Sequence, residues 1–192
     1  MRVIETALAG VIIVEPQVHR DARGFFAETY HAERLASCGI TTTFVQDNHS
    51  RSVRNTLRGL HWQYRRPQAK LVRVVRGEVY DVVVDIRRGS PTFGAWVGVH
   101  LSDHNLRQTF IPEGFAHGFC VLSDTADVEY KCSDYYDAGG EGGLPWDDPA
   151  IGISWPLSAP LLSVKDRGYE PLERHDRDLP TLALSGELIW VA

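Results

Sequence analysis

The sequence predicts a mainly β fold, a sandwich or barrel of many short strands. Three observations carry this reading. Turn signals recur every ~8–12 residues through the middle of the chain. The stretches between them alternate apolar and other residues with a period of two, as in "EVYDVVVDI" from Glu78 to Ile86. One short stretch alone has the composition of a good helix, with a glycine placed to end it.

Taken in order, that helix is "HAERLASCG", spanning Ala32 to Cys38, and Gly39 is its terminator. "LRGLHWQ" and "KLVRVV" read as strands, and Arg76-Gly77 turns the second into "EVYDVVVDI". In that strand Tyr80, Val82, Val84 and Ile86 share one face, and Val79, Asp81, Val83 and Asp85 the other. "GSPTFG" and "SDHN" are turns on either side of the strand "AWVGVHL". "QTFIP", "HGFCVL" and "ADVEYKCSDYY" follow as strand segments, and "AGGEGG", Ala138 to Gly143, is a flexible loop by composition. Beyond Pro156 the irregular pattern predicts loops and one or two helical turns packed on the outside. There is no repeat, low-complexity tract or linker, so residues 1–192 read as one domain, long enough for one substantial core.

Composition excludes several classes. A net charge of −5 argues against a nucleic-acid binder. No apolar run approaches the ~20 residues of a membrane span, and "VIIV" near the start is too short for a secretion signal, so a cytoplasmic protein is expected. Cys38, Cys120 and Cys132 are odd in number and form no CxxC pair, which favours free thiols over a disulfide framework or a zinc knuckle. Charge is unevenly spread. Arg51, Arg54, Arg58, Arg65, Arg66, Lys70, Arg73 and Arg76 fall in a stretch without any Asp or Glu. Charge alone leaves two readings open, a solvated basic surface and a site for a compact anion such as a diphosphate.

Strand parity narrows the choice. Leu57, Gly59, His61 and Gln63 share one side of their strand, Phe115, His117, Phe119 and Val121 one side of another, and Ala126, Val128, Tyr130 and Cys132 one side of a third. His61, His117 and Tyr130 therefore ride on apolar or small-residue faces, which in a small barrel point inward. Singly, each has a packing explanation. Together, beside a cationic stretch, they read as a site. Arg58 has the opposite parity to His61. A bulge at Gly59 reconciles the two, and so does a ligand that wraps the strand's end.

"IPEGFAHGF" resembles the second motif of the cupin superfamily, P-x-G-x-x-H. The resemblance implies a double-stranded β-helix, or jelly roll, with short peripheral helices. The first cupin motif, which would supply further metal ligands, corresponds to "LHWQYRRPQAK", where Gln63 replaces a histidine and cations follow. A transition metal needs about three neutral imidazole or carboxylate ligands. A metal-free barrel is expected.

The resemblance then becomes specific. "DARGFFAETY", "FVQDNHSRS", "LRGLHWQ", "QAKLVRVVRGEVYDVVVDIRRGSPTFG", "IPEGFAHGF", "VEYKCSDYY", "GISWP" and "LLSVKD" are similar, in order, to the dTDP-4-dehydrorhamnose 3,5-epimerase family. That resemblance implies cofactor-free deprotonation and reprotonation at C3 and C5 of a dTDP-linked 4-keto-6-deoxyhexose. It implies His61 as base, Asp166 as the carboxylate that orients it, Tyr130 as proton donor and Lys70 as stabiliser of the enolate. His117, Arg23, Glu28, Gln46, Asp47, Asn48, Arg58, Glu141 and Lys165 match substrate-contacting positions, with Arg23 and Arg58 expected at the diphosphate. It also implies a homodimer. Trp62, Ala69 and Cys132 depart from the family's usual Tyr, Gly and Thr, and "PTLALSGELIWVA" matches no part of its pattern. Competing readings are an epimerase of a single centre, a 3,4-ketoisomerase, a sugar-nucleotide binding module without turnover, and a metal-dependent cupin.

Overall fold

The computed structural model describes residues 1–175 and 178–190. Its strands are β1 (Arg2–Glu5), β2 (Ile12–Glu15), β3 (Val18–Asp21), β4 (Gly24–Ala27), β5 (Gln46–Val53), β6 (Leu57–Gln63), β7 (Lys70–Arg76) and β8 (Glu78–Asp85). There follow β9 (Trp96–Ser102), β10 (Gln108–Ile111), β11 (Phe115–Val121), β12 (Thr125–Cys132), β13 (Glu141–Gly143), β14 (Thr181–Leu182) and β15 (Leu188–Ile189). The helix predicted over residues 32–38 is present as α1 (Ala32–Ser37), and Gly39 ends it with φ +89°.

The strands form two facing antiparallel sheets. One runs β1-β2-β10-β7-β12-β5 and the other β13-β6-β11-β8-β9. Between them lies a core of Val72, Val74, Val79, Val83, Phe115, Phe119, Val128 and their neighbours. This is the β-sandwich that the strand and turn pattern predicts, in the jelly-roll form that the cupin resemblance implies. Both outer faces are also covered. Leu35 of α1 and Ile40 pack on Leu71 and Phe110 of the first sheet. Leu144, Ile151, Leu172 and Leu179 pack on Leu60, Trp62, Val82, Val84 and Ile86 of the second. The segment beyond Pro156 is thus a third layer. It includes a 3-10 turn at Leu172–Arg174 and the small hairpin β14–β15, which was expected as loop. The last two residues of "PTLALSGELIWVA" lie outside the described residues.

"AGGEGG" is not a flexible loop. Its first half is a 3-10 turn, Ala138–Gly140, and its second is β13, paired to β6. The glycines serve close approach. A Cβ on Gly142 would lie 2.3 Å from the Trp62 indole, and one on Gly143 would lie 2.2 Å from the Tyr169 ring. Among the described residues no helix is long and apolar enough to cross a membrane.

Candidate active site

The cleft opens beside β6, and a register shift there sets its chemistry. His61 pairs with His117 of β11, but Phe119 pairs with Arg58, so β6 carries one residue more than its partner. This is the bulge that reconciles Arg58 with His61: both now face the interior, opposite inward residues. Gly59 makes it possible. Its φ is +119°, and a Cβ there would lie 2.5 Å from the Gly118 Cα.

The cleft has a volume of about 630 Å³. Its lining includes His61, Lys70, Tyr130 and Asp166, together with Arg58, His117, Glu141 and Lys165. His61 is half-buried, and its Nε2 lies 2.6 Å from Asp166 Oδ1. Asp166 is delivered by a tight turn in which its backbone N–H donates to Ser163 Oγ at 3.0 Å. Burial pushes this carboxyl up, but the His61 bond and charge and the Ser163 bond outweigh it and leave the group below its ordinary value. A neutral His61 donates its Nε2–H to this carboxylate and keeps the Nδ1 lone pair free. Nδ1 is 3.9 Å from Glu141 Oε1. Glu141 accepts from Lys165 Nζ at 2.7 Å and from the Tyr136 hydroxyl at 2.8 Å. Burial raises Glu141, but those two bonds, together with the charges of His61 and Lys165, outweigh it, so it too is held below its usual value.

Lys70 donates to Gln68 Oε1 at 3.3 Å. Burial pulls its ammonium below the ordinary lysine value, while Cys132 and Glu141 pull it back up. Tyr130 is raised by burial and by Cys132 and Glu141, against an opposing pull from Arg58. Its hydroxyl makes no hydrogen bond among the described residues, so it is unengaged within the cleft. His117 is buried, and its Nε2 lies 2.6 Å from Oδ1 of the fully buried Asp81. The other oxygen of Asp81 has no hydrogen-bond partner among the described residues.

The remaining expected residues are placed differently. Gln46 and Asn48 line an adjoining hollow of about 360 Å³ that shares His61, Lys70 and Tyr130 with the main cleft. Asp47 pairs with Lys131 at 2.9 Å and borders a further hollow of about 300 Å³, which meets the main cleft at Tyr130. Arg23, in the turn between β3 and β4, is exposed and bonded to Asp21 at 2.6 Å. Glu28 is bonded to Arg34 at 2.9 Å. Neither lines the cleft of its own chain. Sequence reasoning missed Tyr136, Asp81 and Tyr169. The signal for Asp81 was visible, a carboxylate on the same strand face as Val79 and Val83. Tyr136 closes the stretch "ADVEYKCSDYY" but lies beyond the end of β12 at Cys132, and Tyr169 lies in an irregular segment where no periodicity marks it.

The dTDP-4-dehydrorhamnose 3,5-epimerase family model matches residues 5–174. A dTDP-4-dehydrorhamnose 3,5-epimerase from Methanothermobacter thermautotrophicus is 53% identical over 177 residues, which cover 91% of this chain and 96% of that one. One from Salmonella typhimurium is 56% identical over 177 residues, covering 91% and 97%. The crystal structure of the dTDP-6-deoxy-D-glucose-3,5-epimerase of Legionella pneumophila, in complex with dTDP-4-keto-L-rhamnose, is 50% identical. It superimposes with a TM-score of 0.92, over 95% of this chain and 98% of that one. The fold is accordingly the cupin-like jelly roll, and the chain belongs to the dTDP-4-dehydrorhamnose 3,5-epimerase family.

Proposed function

We propose that the protein is a dTDP-4-dehydrorhamnose 3,5-epimerase. It inverts C3 and C5 of a dTDP-linked 4-keto-6-deoxyhexose and yields dTDP-4-dehydro-L-rhamnose for dTDP-rhamnose synthesis. The observation that carries this reading is the His61–Asp166 pair, at 2.6 Å, in one cleft with Lys70 and Tyr130.

The chemistry follows from the C4 ketone, which acidifies the hydrogens on both neighbouring carbons. His61 Nδ1 takes the proton, and the buried Asp166 carboxylate stabilises the imidazolium that forms. The electron pair moves onto the ketone oxygen. Lys70 is the cation for that oxygen. Its ammonium is poorly solvated, so it gains more from an enolate than from a neutral carbonyl. Tyr130, a phenol protonated at neutral pH and raised further by burial, returns a proton from the opposite face of the sugar. The phenolate left behind has Arg58 as its favourable neighbour. Between the two inversions the imidazolium gives its proton to water and the phenolate takes one up, so His61 acts at each centre in turn; the proton transfers are redox-neutral, and the reading needs no cofactor. Arg58 and Lys165, on the cleft wall, are the local cations for the diphosphate.

Two observations support a homodimer as the active form. Arg23 and Glu28 lie away from the cleft of their own chain. The β3–β4 hairpin that leads to them shows Phe25 and Phe26 55% and 69% exposed. A second copy would cover those rings and bring Arg23 to the neighbouring cleft. The three free thiols suit a reducing compartment, the cytoplasm.

The test is proton NMR of the keto-sugar nucleotide in heavy water. Deuterium enters both C3 and C5, and His61→Ala slows both exchanges by roughly 10²–10⁴-fold. Exchange at a single carbon would make the protein a single-centre epimerase. Binding of dTDP without any exchange would make it a binding module.

A further inference from the structure

The loop that supplies Asp166 makes a second contact with His61. The Tyr169 ring stands edge-on to the imidazole, with centroids 5.7 Å apart and planes at 68°. The register explains the space it fills. His61 has two cross-strand partners, His117 on β11 and Gly143 on β13. Gly143 leaves its side-chain position empty, and the Tyr169 ring occupies it, since a Cβ there would come within 2.2 Å of the ring. A single bond to Asp166 restrains one nitrogen of the imidazole and leaves the ring free to swing about it. The wall formed by Tyr169 removes that freedom. The hydroxyl is not what makes the contact: it is buried without a hydrogen-bond partner among the described residues. Burial, with Glu141 and Asp166 nearby, raises this phenol further above its ordinary value.

The chain beyond Tyr169 is anchored twice, to the loop that follows β13 and to the other side of β6. The Leu172 N–H donates to the Asp148 carboxylate at 2.7 Å. Trp62, next to His61 on β6 and facing the opposite way, donates its indole N–H to the Asp178 carbonyl at 3.0 Å. His175 stands edge-on to that indole at 5.2 Å. The C-terminal layer thus brackets β6, with Tyr169 on the His61 side and Asp178 and His175 on the Trp62 side.

We propose that Tyr169 is a positioning residue for His61, clamped by the C-terminal layer so that Nδ1 of the base faces the cleft. This rests on the epimerase reading, and the experiment separates the two. Tyr169→Ala lowers kcat about 10- to 100-fold with KM little changed, because a misplaced base costs rate rather than binding. Tyr169→Phe restores the wild-type kcat. Gly143→Ala, which drives the ring from its place, reproduces the loss. Nitrogen-15 NMR of the imidazole reads His61 without turnover: a single Nε2–H tautomer in the wild type and Tyr169→Phe, a mixture in Tyr169→Ala. If Tyr169→Ala does not fold, Tyr169→Leu carries the same measurements. Unchanged kcat and an unchanged tautomer on loss of the ring would overturn the proposal, as would Tyr169→Phe as slow as Tyr169→Ala. A wild type without exchange at C3 or C5 would overturn the epimerase reading instead, and the tautomer measurement would still decide the role of Tyr169.

Discussion

At His61, backbone and side chain are set by distant parts of the chain. The strand places the imidazole opposite His117, and a carboxylate 105 residues further along holds its Nε2. Asp166→Asn keeps the shape but removes the charge that favours the imidazolium. It also presents an amide N–H₂ that bonds the wrong tautomer. The expected loss in kcat is about 10²–10⁴-fold with an unchanged melting temperature, measured on the keto-sugar nucleotide. A variant at wild-type rate would show that the carboxylate does not orient the base. At this scale the sequence was partly legible. His61, His117 and Tyr130 stand out by parity, because an ionisable or hydroxyl group on an apolar strand face has a definite direction. Asp166, Lys165 and Glu141 lie outside regular strands of any length and were reached through resemblance alone. Tyr169 was reached by neither, because its significance depends on an absent side chain at Gly143.

Among the elements, the β-rich core was readable and the covering layer was not. Alternation in "EVYDVVVDI" assigns two faces correctly but does not say that both are buried. Val79 and Val83 join the inter-sheet core, while Val82, Val84 and Ile86 lie under the C-terminal layer. That layer lacks periodicity, because it is held by single anchors rather than by a repeating face. One anchor titrates. Both ring nitrogens of His175 face acceptors, Nδ1 the Asp178 carboxylate and Nε2 the Glu170 carbonyl, each at 2.9 Å, so both carry hydrogens. The Asp178 bond raises its pKa above the ordinary imidazole value, although burial opposes it. The stability it lends is therefore full below ~6.5, its unfolded value, and is lost as pH rises through the folded one. Between pH 6 and 9 the wild type should lose more melting temperature than His175→Asn does, read by differential scanning calorimetry. Parallel curves would mean that His175 does not clamp the layer.

For the whole molecule, two sheets flank the main cleft, and two of the expected contacts, Arg23 and Glu28, line neither it nor the hollows that adjoin it. In the proposed dimer each cleft takes its base from one chain and Arg23 from the other. His61→Ala and Arg23→Ala homodimers should both be impaired. Mixing and refolding them in equal amounts should return about a quarter of wild-type activity, through mixed dimers with one intact site. No recovery, or a monomer in sedimentation, would refute that arrangement. The one-residue register shift in β6 has a further consequence for how such a chain can vary over evolution. A chain that lost Gly59 would close the ladder, with Arg58 still opposite Phe119 and His61 still opposite His117, and would draw the guanidinium and the imidazole one residue closer together. The surplus residue is thus a spacer, and its loss would crowd the chamber wall rather than turn it inside out.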